Sequence, residues 1–454
     1  MIAISIPGGL RIEETQSALT SGALSIKSLA PDMVINWPYH ILQRGSFLLF
    51  GVTDLSIKLP SIVIGLITAI GIFLLIKMWF RRNTATIVTA IAVTMSPFLF
   101  MAQDGTPSIM FTSLVIWLMV AGTYVTRSKL FSTFWKVLGC VLLAITLYTP
   151  LGVYITIALI ITMLIHPHIR YVIRKITKLR LALALALGVL SVTPLVYAII
   201  LDYHVLLTLL GLPNGSIDIG NNIVTLGQAL FGFGSTHYGA ILQPLFSITA
   251  TLLAIIGIYR LLTVKYTARS YAVLILGTFV LVINIINPAH FLDLYPLAIL
   301  MIAVGVATLI IDWYQLFPKN PYARVAGLIP LTILVIGMVF SDLSLYTSNY
   351  RYNPTLLASY SSDLNLLETT AKSSTKTKPL QVVTSPNEQP FYALVAHYDD
   401  RFSLVNGASA SGVVAVTRAA HSAKLSDSLV LDKIITNDRA DQSDRFYLYK
   451  SDQK

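Results

Sequence analysis

Residues 56–79 read SIKLPSIVIGLITAIGIFLLIKMW, and from Leu59 to Ile76 no side chain carries a charge. At 1.5 Å of rise per residue, such a run is long enough for a helix to cross a hydrocarbon layer of about 30 Å. Further apolar runs fall at 84–102, 107–126, 133–149, 151–167, 181–201, 242–263, 270–287, 294–312 and 325–341. Together they predict a polytopic α-helical membrane protein of about ten spans. Pro97, Pro194 and Pro330 lie inside these runs, where neighbouring helices can accommodate the broken backbone pairing. Composition agrees: of 454 residues 55% are hydrophobic and 12% charged, with a mean hydropathy of +0.73. That is about half the charge of a soluble domain. The single cysteine, Cys140, sits within VLGCVLLAI, which excludes a disulfide framework and a thiolate metal cluster.

The placement of charge gives a topology. Basic residues collect in alternate loops: Lys77, Arg81 and Arg82; Arg127, Lys129 and Lys136; Arg170, Arg174, Lys175, Lys178 and Arg180; Arg260, Lys265 and Arg269; Lys319 and Arg324. The positive-inside rule makes those loops cytoplasmic and puts the N-terminal segment and the C-terminal tail outside. The net charge of +11 is then mostly a topology signal, and no nucleic-acid partner is expected. The first 341 residues hold nine acids, Glu13, Glu14, Asp32, Asp54, Asp104, Asp202, Asp218, Asp293 and Asp312, and all but Asp312 fall on the outer face. Acids contribute little to topology, so this one-sidedness suggests an outer function for carboxylates. An exported N-terminal segment normally follows a hydrophobic signal, and MIAISI is too short to be one. The expected gene product therefore starts upstream, with a further span ending near Ser5-Ile6-Pro7.

Three regions are expected. Residues 1–55 form a first outer loop with interfacial helices, including an amphipathic stretch from Asn36 to Gly51 whose Trp37 and Tyr39 suit a membrane interface. Residues 56–341 form the membrane domain. Residues 342–454 hold twelve basic and twelve acidic residues and read as a small α/β domain on the outer face. In it 354–371 reads as an amphipathic helix and LQVVTS, FYALVAHY, RFSLVN, GVVAVT, LVLDKIIT and RFYLYK as strands.

The order of these features resembles the GT-C superfamily of membrane glycosyltransferases, the branch with protein mannosyltransferases, aminoarabinose transferases and Rgt-like enzymes. Glu13-Glu14 stands where the family has its acid pair outside the first span. Trp37-Pro38, Leu49-Phe50-Gly51 and Lys58-Leu59-Pro60-Ser61 follow in the family's order, then Ser96-Pro97, Asp104, Leu147-Tyr148-Thr149 and Phe231-Gly232-Phe233-Gly234. The first Glu replaces the usual Asp, and Lys58 the usual Arg. The resemblance implies transfer of a sugar from a polyprenyl-phosphate carrier to a glycan, lipid or protein acceptor, by a multi-pass plasma-membrane enzyme surrounded by membrane lipids.

That chemistry needs a carboxylate to take the acceptor's proton, and Glu13 or Glu14 could be that base, with family position favouring Glu13. The alternative is that the pair only solvates a loop and favours a helix start. Asp104 is a further candidate catalytic acid, or an acid at a helix start capped by Thr106 and Pro107. The departing phosphate needs positive charge, from Arg44, Lys58, Lys27 or Arg11, or from a divalent cation. Arg44 is preferred, on the interfacial helix, with headgroup snorkelling as its alternative. A metal would draw on Glu14, Asp104, His290 and Asp293, the last two sharing a helix face at a spacing of three. Competing readings are a transporter or flippase, which would place charge at mid-membrane, and a noncatalytic envelope scaffold indifferent to loss of Glu13 or Glu14.

Overall fold

The computed structural model describes residues 6, 8–24, 30–127, 132–174, 178–213, 215–232, 237–264, 267–375, 377–405, 412–421, 425, 429–437 and 443–451. Residues 1–5 with the expected upstream span, Lys27, and Phe233-Gly234 lie outside these residues.

Two short helices precede the first long one. The first, α1, spans Ile12–Gly22, and α2 spans Trp37–Phe50 with Pro38 in its first turn. The opening stretch forms α3, Asp54–Trp79, started by Thr53, whose hydroxyl accepts the Ser56 N–H at 3.0 Å. The run at 84–102 is not one helix. It forms α4 (Arg82–Thr94) and α5 (Ser96–Gln103), bent by 65° at Met95, whose backbone is extended. Pro97 explains the break, because it has no N–H to give the Val93 carbonyl and its ring would crowd that carbonyl. Then come α6 (Ile109–Arg127), α7 (Ser132–Thr146), α8 (Gly152–Ile165), α9 (Pro167–Arg174) and α10 (Lys178–Leu201). Next are α11 (His204–Leu209), α12 (Ile219–Phe231) and a ribbon of β1 (His237–Tyr238) and β2 (Ile241–Leu242). Three long helices follow the short α13 (Ile248–Thr263): α14 (Ala268–Ile286), α15 (Tyr295–Leu316) and α16 (Pro321–Tyr352).

This is an integral membrane protein. Among the described residues, α3, α6, α14, α15 with the 3-10 turn Pro288–Leu294, and α16 are long and apolar enough to cross a membrane, and the bent α4–α5 pair adds a sixth if it is one span. The expectation of about ten spans rests on four shorter apolar helices as well, α7, α8, α13 and residues 186–201 of α10. Outward faces are apolar: Leu66, Ile70, Ile333 and Phe340 are all more than half exposed. In water such surface would be a liability, whereas hydrocarbon covers it without cost. Helices α13 and α15 cross at backbone contact, since a Cβ on Gly257 would lie 1.9 Å from the Met301 carbonyl oxygen. Without a hydrophobic drive between spans, this small-residue approach supplies the packing.

The composition shift at residue 342 falls within α16, which continues to Tyr352. Beyond it, the helix expected over 354–371 is divided into α17 (Pro354–Leu357) and α18 (Asp363–Thr370). A five-stranded sheet follows, in the order β4-β3-β5-β7-β6, from β3 (Leu380–Val383), β4 (Phe402–Leu404), β5 (Val413–Thr417), β6 (Leu429–Thr436) and β7 (Asp444–Ser451). Strand β3 is parallel to β4 and β5, and the remaining pairs are antiparallel. The stretch FYALVAHY, expected as a strand, lies in helix α19 (Gln389–Tyr398). Pro390 in its first turn favours a helix start, and Tyr392 and Val395, three apart, are its buried side chains. The sheet domain docks on the N-terminal segment: Leu10, Ala18, Phe47 and Ile57 share one core with Leu364, Leu367, Leu380 and Phe446. Leu10 and Ser361 exchange backbone hydrogen bonds of 2.7 and 2.8 Å.

Candidate active site

The start of α1, the first turns of α3 and the turn after α5 meet in one charged cluster. Arg11 is the N-cap of α1, and its backbone N–H donates to Glu14 Oε2 at 2.7 Å, so the Glu14 side chain reaches back to cap the start of the helix. Glu14 is fully buried, and its Oε1 accepts the Gly105 N–H at 2.6 Å. Gly105 must be glycine for this approach, because a Cβ would lie 2.6 Å from the Ile57 side chain and 3.1 Å from Glu14 Oε1. Lys58, 3% exposed, donates to the Gly9 carbonyl at 2.7 Å and sits 3.7 Å from Glu14 Oε1.

Arg11 is the hub. One guanidinium nitrogen donates to Asp104 Oδ1 at 2.6 Å, another to Glu13 Oε2 at 3.0 Å, and the group lies 5.1 Å from the Phe100 ring centre. Burial opposes its charge, but Asp104, the nearby Tyr360 and Glu14 outweigh that, and the guanidinium is held protonated beyond its ordinary range. Asp104 is buried, and its Oδ2 accepts from the Thr106 and Ser108 hydroxyls. Thr106 thus braces Asp104, and α6 begins only at Ile109. Burial pushes the Glu14 carboxyl up to about 7, with Lys58 and two backbone N–H groups pulling the other way. With all five groups ionised, two cations face three carboxylates, an imbalance of one negative charge.

Within this cluster Glu13 is the accessible acid, its side chain 56% exposed while Arg11 fixes one oxygen. Tyr346 and Tyr350 on the buried face of α16, with Tyr360, stand beside the cluster: the Tyr350 ring is 6.4 Å from Phe100 and 6.3 Å from Tyr360. Underneath, Gln43 of α2 accepts from the Ser17 and Ser21 hydroxyls and donates to the Ile57 and Gly105 carbonyls at 2.8 and 2.9 Å.

The structure therefore gathers Glu13, Glu14, Lys58 and Asp104. Lys58 is an internal cation turned toward Gly9 and Glu14. Arg44 is half-buried on the face of α2 that also carries the exposed Ile41 and Leu48, and Lys27 lies outside the described residues. His290 and Asp293 pair with each other, Nδ1 to Oδ2 3.2 Å, in the turn before α15, and neither hydrogen-bonds Glu14 or Asp104. Among the described residues no three His, Cys, Asp or Glu converge as a metal group would require, and the oxygens of Glu14 and Asp104 already accept N–H and O–H donors.

Sequence reasoning ranked Arg11 below Arg44 and did not single out Gln43. Their signals were present: Arg11 stands two residues before Glu13, and Glu14, Ser17 and Ser21 form a polar stripe at helical spacing that is buried rather than solvated.

The carboxylate cluster lies at the seam where the helical bundle meets the C-terminal sheet domain. Residues 34–197 match the sequence profile of the family described as Dolichyl-phosphate-mannose-protein mannosyltransferase, and the resemblance to the GT-C superfamily stands on that match. Similar solved folds include ArnT from Cupriavidus metallidurans in the apo state, at 12% identity over 90% of this chain and 86% of that one, with a TM-score of 0.49. The same protein bound to undecaprenyl phosphate aligns at 11% identity, over 91% and 87% of the two chains, with a TM-score of 0.46. The Archaeoglobus fulgidus oligosaccharyltransferase, tethered to an acceptor peptide containing the NVT sequon, aligns at 12% identity over 87% of this chain and 60% of that one, with a TM-score of 0.49. No curated protein matches the chain in a sequence comparison.

Proposed function

We propose that the protein transfers a sugar from a polyprenyl-phosphate carrier to an acceptor hydroxyl, with Glu13 as the general base, on the outer face of the membrane. The observation that carries this reading is the exposed Glu13 carboxylate, held by Arg11 against a buried lattice of Glu14, Lys58 and Asp104. The acceptor oxygen attacks the anomeric carbon while Glu13 takes its proton. The carbon–oxygen bond to the carrier phosphate breaks, the phosphate leaves with the electron pair, and the anomeric configuration inverts. Asp104 and Glu14 are positioning residues: they hold Arg11, and through it one oxygen of Glu13, leaving the other for the acceptor.

The carrier phosphate would sit over α2. That helix buries His40, Gln43 and Ser46 beside Tyr39 and Phe47 and exposes Ile41, Leu42, Leu48 and Leu49, so its outward face is apolar where a helix facing water would be polar. Such a helix lies along lipid with its polar side inward, and Arg44 on the exposed side offers a cation at headgroup depth. No step is routed through a metal.

The test is the purified full-length protein with a panel of polyprenyl-phosphate sugars and acceptors. Glu13→Gln should lower turnover on the active pair by about 10²–10⁴-fold, the range of a lost general base, with an unchanged melting temperature. Equal turnover of wild type and Glu13→Gln would overturn the assignment, and no transfer across the panel would overturn the reaction class.

A further inference from the structure

A cavity of about 590 Å³ opens among α6, α7, α8 and the start of α14. It is far from the carboxylate cluster. Helix α6 begins five residues after Asp104 and reaches the cavity rim at Arg127, and its 19 residues span ~28 Å. The two ends of the cavity differ chemically. Leu118, Leu143, Leu159 and Met163 line its interior, whereas Arg127, Lys136 and Arg269 stand at its rim. From Leu118 to Arg127 along α6 is ~13 Å, deep enough for a substantial length of acyl chain.

The rim is uncompensated. No Asp or Glu lines the cavity, and none of the three cations has an acidic partner among the described residues. Arg127 donates to the Met78 carbonyl and Arg269 to the Trp79 carbonyl at 3.5 Å, so both cap the end of α3. Arg269 also lies 4.8 Å from the Phe80 ring centre and within electrostatic reach of Arg127. Lys136 makes no hydrogen bond or ion pair among the described residues. Three like charges gathered at one mouth repel each other unless an anion joins them. Trp79 and Trp135, also in the wall, are the residues that settle at headgroup depth.

We infer that this cavity is a binding site for an anionic glycerophospholipid, with one acyl chain among Leu118, Leu143 and Leu159 and the headgroup phosphate held by Lys136, Arg127 and Arg269. An apolar slot alone would accept any lipid chain, and a basic rim alone would accept any phosphate. Their combination at one cavity selects a phosphate attached to a chain, and a zwitterionic headgroup would bring its own cation against the rim. The site is separate from the proposed reaction, so its test does not depend on turnover.

The experiment is native mass spectrometry of the full-length protein, delipidated in detergent and then given phosphatidylglycerol or phosphatidylcholine of matched chains. One phosphatidylglycerol should be retained where phosphatidylcholine is lost. Lys136→Gln should weaken that retention about fivefold, the effect of one basic residue on an anionic headgroup. Gly122→Leu should abolish it by filling the cavity. A Cβ at Gly122 has no heavy atom within 4 Å, so that variant is expected to fold, with its melting temperature as the check. Equal retention of the two lipids, or retention unaffected by both substitutions, would overturn the inference. Displacement of the lipid by millimolar inorganic phosphate would also overturn it, because the site would then be a simple anion site.

Discussion

The carboxylate of Glu14 accepts one backbone N–H on each oxygen, from Arg11 and from Gly105, and has Lys58 3.7 Å away. An amide in its place offers a single acceptor, so Glu14→Gln turns an NH₂ toward one of those buried N–H groups. An unsatisfied buried donor costs about 1–3 kcal/mol, and the melting temperature should fall accordingly. Activity of the surviving folded fraction should also drop, because Arg11 and hence Glu13 lose their anchor. At Glu13 the same substitution touches a half-exposed side chain, for which a loss of turnover without a loss of stability is expected. Thermal unfolding of the two variants side by side decides the matter. If both unfold like the wild type, Glu14 is not the structural member of the pair. That division was not legible in the sequence, where the two acids are adjacent and chemically equal; it arises from contacts with Gly105 and Asp104, some ninety residues away.

Among the elements, those with strong local signals were legible and those decided by packing were not. Helix α3 follows directly from its uncharged run. The bend between α4 and α5 had its cause on view in Pro97, yet apolar periodicity alone reads through it. The helix at 389–398 was misread because Phe391, Tyr392, Val395 and Tyr398 favour strands taken one at a time, while their burial in the structure follows a helical face. How α1, α2 and α3 assemble was equally hidden. Gln43 ties all three, with two carbonyls and two hydroxyls around one amide. Gln43→Leu keeps the volume and removes all four bonds; Ser21 keeps His40 Nδ1 at 2.8 Å, whereas the buried Ser17 hydroxyl and the Gly105 carbonyl lose this partner, so it should destabilise the protein by ~2 kcal/mol. A change below 1 kcal/mol in thermal or denaturant unfolding would show that water replaces the amide.

At the scale of the whole molecule, the sheet domain is part of the site's support, since Leu10 and Ala18 at the start of the chain share a core with Leu367 and Phe446. The seam has a pH-sensitive element. Glu368 of α18 leaves Oε1 buried without a hydrogen bond, and Asp54 at the start of α3 and Asp399 after α19 add negative charge beside it. Burial first, then Asp54, raise the Glu368 carboxyl to about 7, with Arg401 opposing and Asp399 adding a smaller push. Because the native state then holds this proton more tightly than the unfolded chain, the stability it contributes is present below the ordinary value of 4.5 and is lost as pH rises through about 7. Glu368→Gln replaces the acid by a permanently neutral group of the same shape. The variant should match the wild type near pH 5 and melt higher near pH 8, with limited proteolysis of the sheet domain slowed only at the higher pH. A stability difference that is the same at both pH values would mean that the seam does not titrate through Glu368.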